Sequence, residues 1–145
     1  MPVESPRHSV SVAGITVRED GRILVIRRAD NGAWEPPGGV LELNEDPRGG
    51  VAREVLEETG IEVEVRQLTG VYKNMKLGVV ALIFRCEPVA GTERTSSEST
   101  AVEWLPPDEV RERMSEVFAI RVLDALEGNG PYVRSHDGRV LIPAG

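Results

Sequence analysis

The apolar and polar positions of this chain fall into short alternating runs separated by turn residues. HSVSVAGITVRE, residues 8–19, alternates and is rich in β-branched side chains, which predicts a strand. Asp20-Gly21 is a two-residue turn signal, so RILVIRR (22–28) is expected to return beside that strand as a hairpin partner. Residues 29–41 lose the alternation and read as a loop, with Trp34 and the stiff Pro36-Pro37-Gly38-Gly39. A helix follows: Asp46 suits the cap, Pro47 the first helical position, and Gly60 a left-handed stop. The Gly49-Gly50 pair weakens its first turn by about 2 kcal/mol relative to alanines. That turn therefore depends on tertiary contacts or on something bound. IEVEVRQLTGVYKN (61–74) and KLGVVALIFRCEP (76–88) predict two further strands, and GTERTSSEST (91–100) a polar loop. AVEWL (101–105) is a short strand ended by Pro106-Pro107. Residues 107–128 have helical periodicity, with Val110, Met114, Val117, Ile120 or Val122, and Leu123 on a core side. The tail carries an Asp137-Gly138 hairpin signal. Strands surrounding two helices imply an α/β fold with a mixed sheet covered on both faces.

Composition narrows the class. The 145 residues are 40% hydrophobic and 28% charged, as expected for one soluble globular domain spanning 1–145. The longest apolar run, LGVVALIF (77–84), is far short of the roughly 20 residues that cross a bilayer, so it reads as a buried strand. The first ten residues lack the apolar core of a secretion signal. The lone Cys86 has no internal partner and reads as a small hydrophobe near a strand end, which fits a reducing cytoplasm. With 24 acidic against 17 basic groups the formal charge is −7, which argues against a duplex nucleic-acid partner. An acidic protein that handles phosphates needs a cation as go-between.

REVLEETG (53–60) gathers carboxylates where a purely structural helix gains nothing from them. At about 100° per residue, Glu54, Glu57 and Glu58 share an arc of about 100°, while Val51, Ala52, Val55 and Leu56 cover the other side. A solvated acidic face relieved by Arg53 is the bland explanation. The arc, however, faces the end of the Pro-Pro-Gly-Gly loop, and hard divalent cations seek oxygen ligands of this kind.

Gly39, five residues, Glu45, seven residues, then Arg53-Glu54-Val55-Leu56-Glu57-Glu58-Thr59-Gly60-Ile61 resembles the Nudix box at every specified position, over residues 39–61. The resemblance implies a Nudix α/β/α sandwich with a mixed β-sheet between helices. It also implies a hydrolase, similar to MutT, that cleaves a nucleoside diphosphate linked to a group X. That class includes oxidised nucleoside triphosphates and nucleotide sugars such as ADP-ribose. Carried over by position, Glu57 and Glu58 become the principal magnesium ligands, with manganese a possible substitute. Glu54 becomes a further ligand or the residue that orients water, and the Gly39 carbonyl an additional ligand. Arg53 holds the carboxylates in place and Glu45 pairs with it. Many members use another glutamate beyond the box; here Glu98 is the candidate general base and Glu103 the second choice.

Other positions have two readings each. Arg27 and Arg28 end a strand and lead into the motif loop, where either meets a substrate phosphate or is simply solvated. Trp34 either stacks on a base or packs under the loop. Tyr72, Lys73 and Asn74 form either a substrate-facing turn or a plain hairpin connection. His8 and His136 have no metal-ligand spacing and read as non-catalytic. Against a small-molecule hydrolase stands a catalytically silent nucleotide-binding module, although such modules usually lose box carboxylates that are all present here. An RNA-directed pyrophosphohydrolase fits poorly with a short, acidic chain. Family members often dimerise, and LGVVALIF is the candidate segment for a homodimer.

Overall fold

The computed structural model describes residues 4–144. Met1, Pro2, Val3 and Gly145 lie outside it, so the reading of the chain's start falls partly beyond the described residues.

Two sheets form the middle of the molecule. The larger has the order β4-β1-β6-β5-β8-β9, built from β1 (Ser9–Thr16), β4 (Gly38–Val40), β5 (Ile61–Asn74), β6 (Val79–Gly91), β8 (Tyr132–His136) and β9 (Leu141–Ile142). It is mixed: β1 runs parallel to β6 and β5 parallel to β8, and the other pairs are antiparallel. The smaller sheet has the order β3-β2-β7, from β2 (Ile23–Arg28), β3 (Trp34–Glu35) and β7 (Ser99–Leu105).

Alternation along β1 explains the layers. Val12 packs with Val51 and Val55 of helix α1 (Pro47–Thr59), together with Leu24, Phe84 and Cys86. Its neighbour Ala13 points the other way, into a cluster with Tyr72, Ile83, Val110, Ala119 and Val122 beneath α2 (Pro107–Arg113) and α3 (Glu116–Glu127). Helices thus cover both faces of the sheet, the α/β/α arrangement the sequence implies. At Gly14 an added Cβ would meet Cys86 Sγ at 3.0 Å and Val51 Cγ1 at 3.1 Å, so the glycine lets α1 approach the sheet closely. Cys86 is fully buried, and burial pushes its thiol up to about 12, which leaves it unreactive at neutral pH.

Two expectations are corrected. β1 and β2 do not pair as a hairpin; they enter different sheets, joined at the turn by a Val17–Ile23 bridge and an Arg18 N–H donating to the Arg22 carbonyl. Ile23, Leu24, Val25 and Ile26 are all buried, so β2 is covered on both faces and pairs with β3 and β7 instead. The helix over 107–128 is broken. Met114 is extended (ψ 150°), and Ser115 starts α3 with its carbonyl accepting from Phe118 and Ala119. Of LGVVALIF, residues 79–84 lie in β6 and are paired on both edges, by β1 and by β5. No helix among the described residues is long and apolar enough to cross a membrane.

Candidate active site

Helix α1 forms as its ends dictate. The Asp46 carboxylate accepts from the Gly49 N–H at 2.9 Å, Pro47 occupies the first turn, and Gly60 closes the helix with φ 79°. The glycine pair gains its support from outside: a Cβ on Gly50 would strike Leu41 Cδ1 at 2.7 Å. Register then sets the site. β4 lies antiparallel on β1 with Gly39 opposite Val12, which brings the end of the Pro-Pro-Gly-Gly segment against the acidic side of α1. A Cβ on Gly39 would lie 2.6 Å from Glu54 Oε2, so nothing larger than hydrogen leaves that carboxylate in place.

Arg53 organises the acids. Its Nε and Nη2 donate to Glu45 at 2.9 and 2.6 Å, while Nη1 donates to Glu54 at 2.8 Å and to Glu57 at 3.2 Å. The Arg53 guanidinium holds the Glu45 carboxyl down at about 2. Glu58 is the opposite case. It is only 5% exposed, and its Oε2 has no hydrogen-bond partner. Burial lifts its pKa well above the carboxylate range, reinforced by neighbouring Glu54 and then by the charges of Glu35 and Glu98.

These groups border a cavity of about 780 Å³. Asp30, Glu35, Glu42, Glu54, Glu58 and Glu98 line it together with the Gly38-Gly39 strand, and Arg28 is the one cation among the lining residues. An enclosure this acidic suits a cation with a polyanion bound on it. The donor set fits a hard divalent ion: carboxylates at Glu54 and Glu58, one oxygen buried without a partner, and a backbone pressed close at Gly39. Among the described residues, however, no three acidic, histidine or cysteine groups already converge as a cage, because Glu54 and Glu57 both turn to Arg53.

A family model for the NUDIX domain matches residues 7–126, most of the chain. The chain belongs to the Nudix hydrolase family. It is 75% identical over 140 residues to a MutT-like protein of Streptomyces ambofaciens, covering 97% of this chain and 91% of that one. It is 31% identical to an ADP-ribose pyrophosphatase of Methanocaldococcus jannaschii, over 66% of this chain and 60% of that one. A Nudix hydrolase from Nitrosomonas europaea has the same fold, with TM-score 0.79 at 24% identity, covering 93% of this chain and 83% of that one.

Within this Nudix fold the remaining candidate residues separate. Glu98 and Arg28 line the acidic cavity. Arg28 donates to Asp30 at 2.8 and 2.6 Å and to Glu35 at 3.2 Å. Glu57, expected as a principal ligand, is not among the residues lining the cavity; its side chain is 61% exposed and turned to Arg53. Glu103 is engaged on the surface by Arg113 at 3.1 Å and does not border the cavity. Arg27 is exposed, donates to the Gly32 carbonyl at 3.2 Å and does not line the cavity. Trp34 packs against the core on the α2–α3 side, with the Arg113 guanidinium 5.3 Å above its ring. Tyr72 requires a correction. It lies inside β5, not in a turn, is 0% exposed, and donates to Asp124 at 2.7 Å; it has no surface to offer a substrate.

Glu35 is the residue that sequence reasoning missed. It is buried at 9% exposure, lies opposite Ile26 in β3, and burial raises its pKa. Its position could be found only by knowing that the Trp34-Glu35 pair forms a strand facing β2.

Proposed function

We propose that this chain is a magnesium-dependent pyrophosphohydrolase that cleaves a nucleoside diphosphate linked to a further group X, with water attacking phosphorus. The observation that carries this reading is Glu58: a buried carboxylate with an oxygen that no donor satisfies, beside Glu54 and Gly39. Leaving such a group unpaired is costly, and a bound divalent cation removes the cost. Relatives named as MutT-like and as an ADP-ribose pyrophosphatase support a nucleotide-linked substrate.

In this reading Glu54, Glu57, Glu58 and the Gly39 carbonyl hold the ion, and manganese substitutes for magnesium. When bound, the ion supplies Lewis-acid neutralisation of the diphosphate oxygens. The chain's own groups do the rest. Arg53 fixes the direction of Glu54 through its paired grip on Glu45. Arg28, the cavity's cation, takes a phosphate oxygen in exchange for part of its hold on Asp30 and Glu35. Glu98 accepts the proton of the attacking water as the new P–O bond forms and the bridging P–O bond breaks towards the leaving phosphate. The walls of the cavity position the diphosphate for in-line attack.

The test is phosphate release from a panel of nucleoside triphosphates and nucleotide sugars, with magnesium and with a chelator. Metal-dependent turnover of at least one compound is expected. Inertness across the panel with nucleotide binding retained would instead make the chain a silent binding module.

A further inference from the structure

A second hollow of about 340 Å³ lies on the α3 side of the Gly38-Gly39 strand. Val79, Val117 and Phe118 give it apolar flanks, and Arg121 and His136 border it. Both polar side chains are more than nine-tenths buried, at 9% and 4% exposure. Neither is used by the chemistry proposed above.

Their hydrogen bonding does not close. His136 Nδ1 accepts the Gly138 backbone N–H at 2.9 Å, so that nitrogen carries no proton. Burial, and then the Arg121 charge, hold the imidazole below its ordinary pKa and therefore neutral, which places its proton on Nε2. Arg121 Nη2 stands 3.4 Å from that Nε2, and a guanidinium nitrogen only donates. The contact is therefore one N–H facing another, not a hydrogen bond. Arg121 Nε is also buried without a partner. The guanidinium is flanked by the rings of Phe118 and Tyr72 at 5.0 and 5.3 Å, which cushion its faces and leave its donor edges unanswered. Packing alone does not explain donors turned on each other, because burying unpaired donors is costly. An acceptor placed between them resolves all of it.

We propose that Arg121 and His136 form a pair of donors that takes an acceptor oxygen of the substrate, the ring carbonyl of a keto-bearing purine. The apolar flanks suit the faces of a planar ring. Glu35 also borders the hollow but is engaged by Arg28 at 3.2 Å, and an amino group set against Arg121 and His136 would turn a third donor on the two already there. Arginine has the same preference for the acceptor edge of a keto purine elsewhere. An oxyanion offers the same oxygen chemistry, and inorganic phosphate probes that source. The inference rests on the hydrolase reading only in taking the occupant to be part of the substrate.

The experiment measures binding of inosine monophosphate and adenosine monophosphate, which differ at the keto and amino position, in chelator. Neither carries a cleavable anhydride, so binding is read apart from turnover. Inosine monophosphate is expected to bind at least about tenfold more tightly. It should also shift the side-chain nitrogen resonances of His136, which His136→Gln distinguishes from the chain's other histidine, His8. In Arg121→Met the preference should fall below about twofold; should that variant not fold, the wild-type comparison still decides. Equal binding of the two nucleotides overturns the proposal, as does a His136 response to inorganic phosphate without one to inosine monophosphate. Turnover without base preference would sink this subsite and spare the hydrolase; base preference without turnover would do the reverse.

Discussion

Arg53 grips Glu45 at two points, 2.9 and 2.6 Å, and uses its remaining nitrogen to hold Glu54 at 2.8 Å. The planar fork is what allows one side chain to anchor on the loop and aim a carboxylate on the helix at the same time. Lysine has a single charged nitrogen and cannot do both. Arg53→Lys is expected to lower kcat at least about tenfold with little change in thermal midpoint. Steady-state kinetics with magnesium and a melting curve together check this; an unchanged kcat would remove Arg53 from the positioning role.

Glu58 makes stability depend on pH and metal. Burial raises its pKa above the ordinary 4.5, so the fold holds the Glu58 proton more tightly than the unfolded chain does. That contribution is present in full below 4.5 and is lost as pH climbs towards the raised value. In chelator, the melting temperature of the wild type should fall relative to Glu58→Gln between about pH 5 and about pH 8. Magnesium should reverse the fall near neutral pH by stabilising the ionised form. Parallel wild-type and Glu58→Gln curves, with and without magnesium, would refute the assignment.

Glu98 and Glu103 were rivals for the same task, and the structure places them differently. Glu98 lines the acidic cavity, whereas Glu103 pairs with Arg113 outside it. Glu98→Gln should cost at least about a hundredfold in kcat, and Glu103→Gln less than about threefold. The comparison is made at saturating substrate with both variants side by side.

Tyr72 should matter for the fold and not for the substrate. Its hydroxyl donates to Asp124, which also accepts from Arg134 Nε and Nη2 at 2.7 and 2.8 Å. Tyr72→Phe removes one buried hydrogen bond and should cost about 1 kcal/mol, lowering the melting temperature by a few degrees. KM should stay within about twofold; a large KM change would return Tyr72 to the binding site.

Local chemistry was readable from the sequence and distant pairing was not. Asp46, Pro47 and Gly60 specify α1 because a cap, a first-turn proline and a left-handed glycine each act within one turn. Asp20-Gly21 promised a hairpin on equally local grounds, yet the burial of Ile23 to Ile26 on both faces of β2 outweighed it. The acids of α1 were visible as a group, but Glu58 is buried while Glu57 is exposed, a difference set by what packs over the helix. Glu35 becomes part of the site only through strand pairing with Ile26. Arg121 and His136 meet across separate elements, and no periodicity links a helix residue to the end of a later strand.

Arg28, Glu35, Gly38 and Gly39 border both hollows, so the acidic chamber and its neighbour share one wall. Remodelling on one side of such a party wall displaces the other. Substitutions selected to admit a bulkier X group will therefore arise in mutually dependent sets, and their effects on rate will not multiply as independent steps.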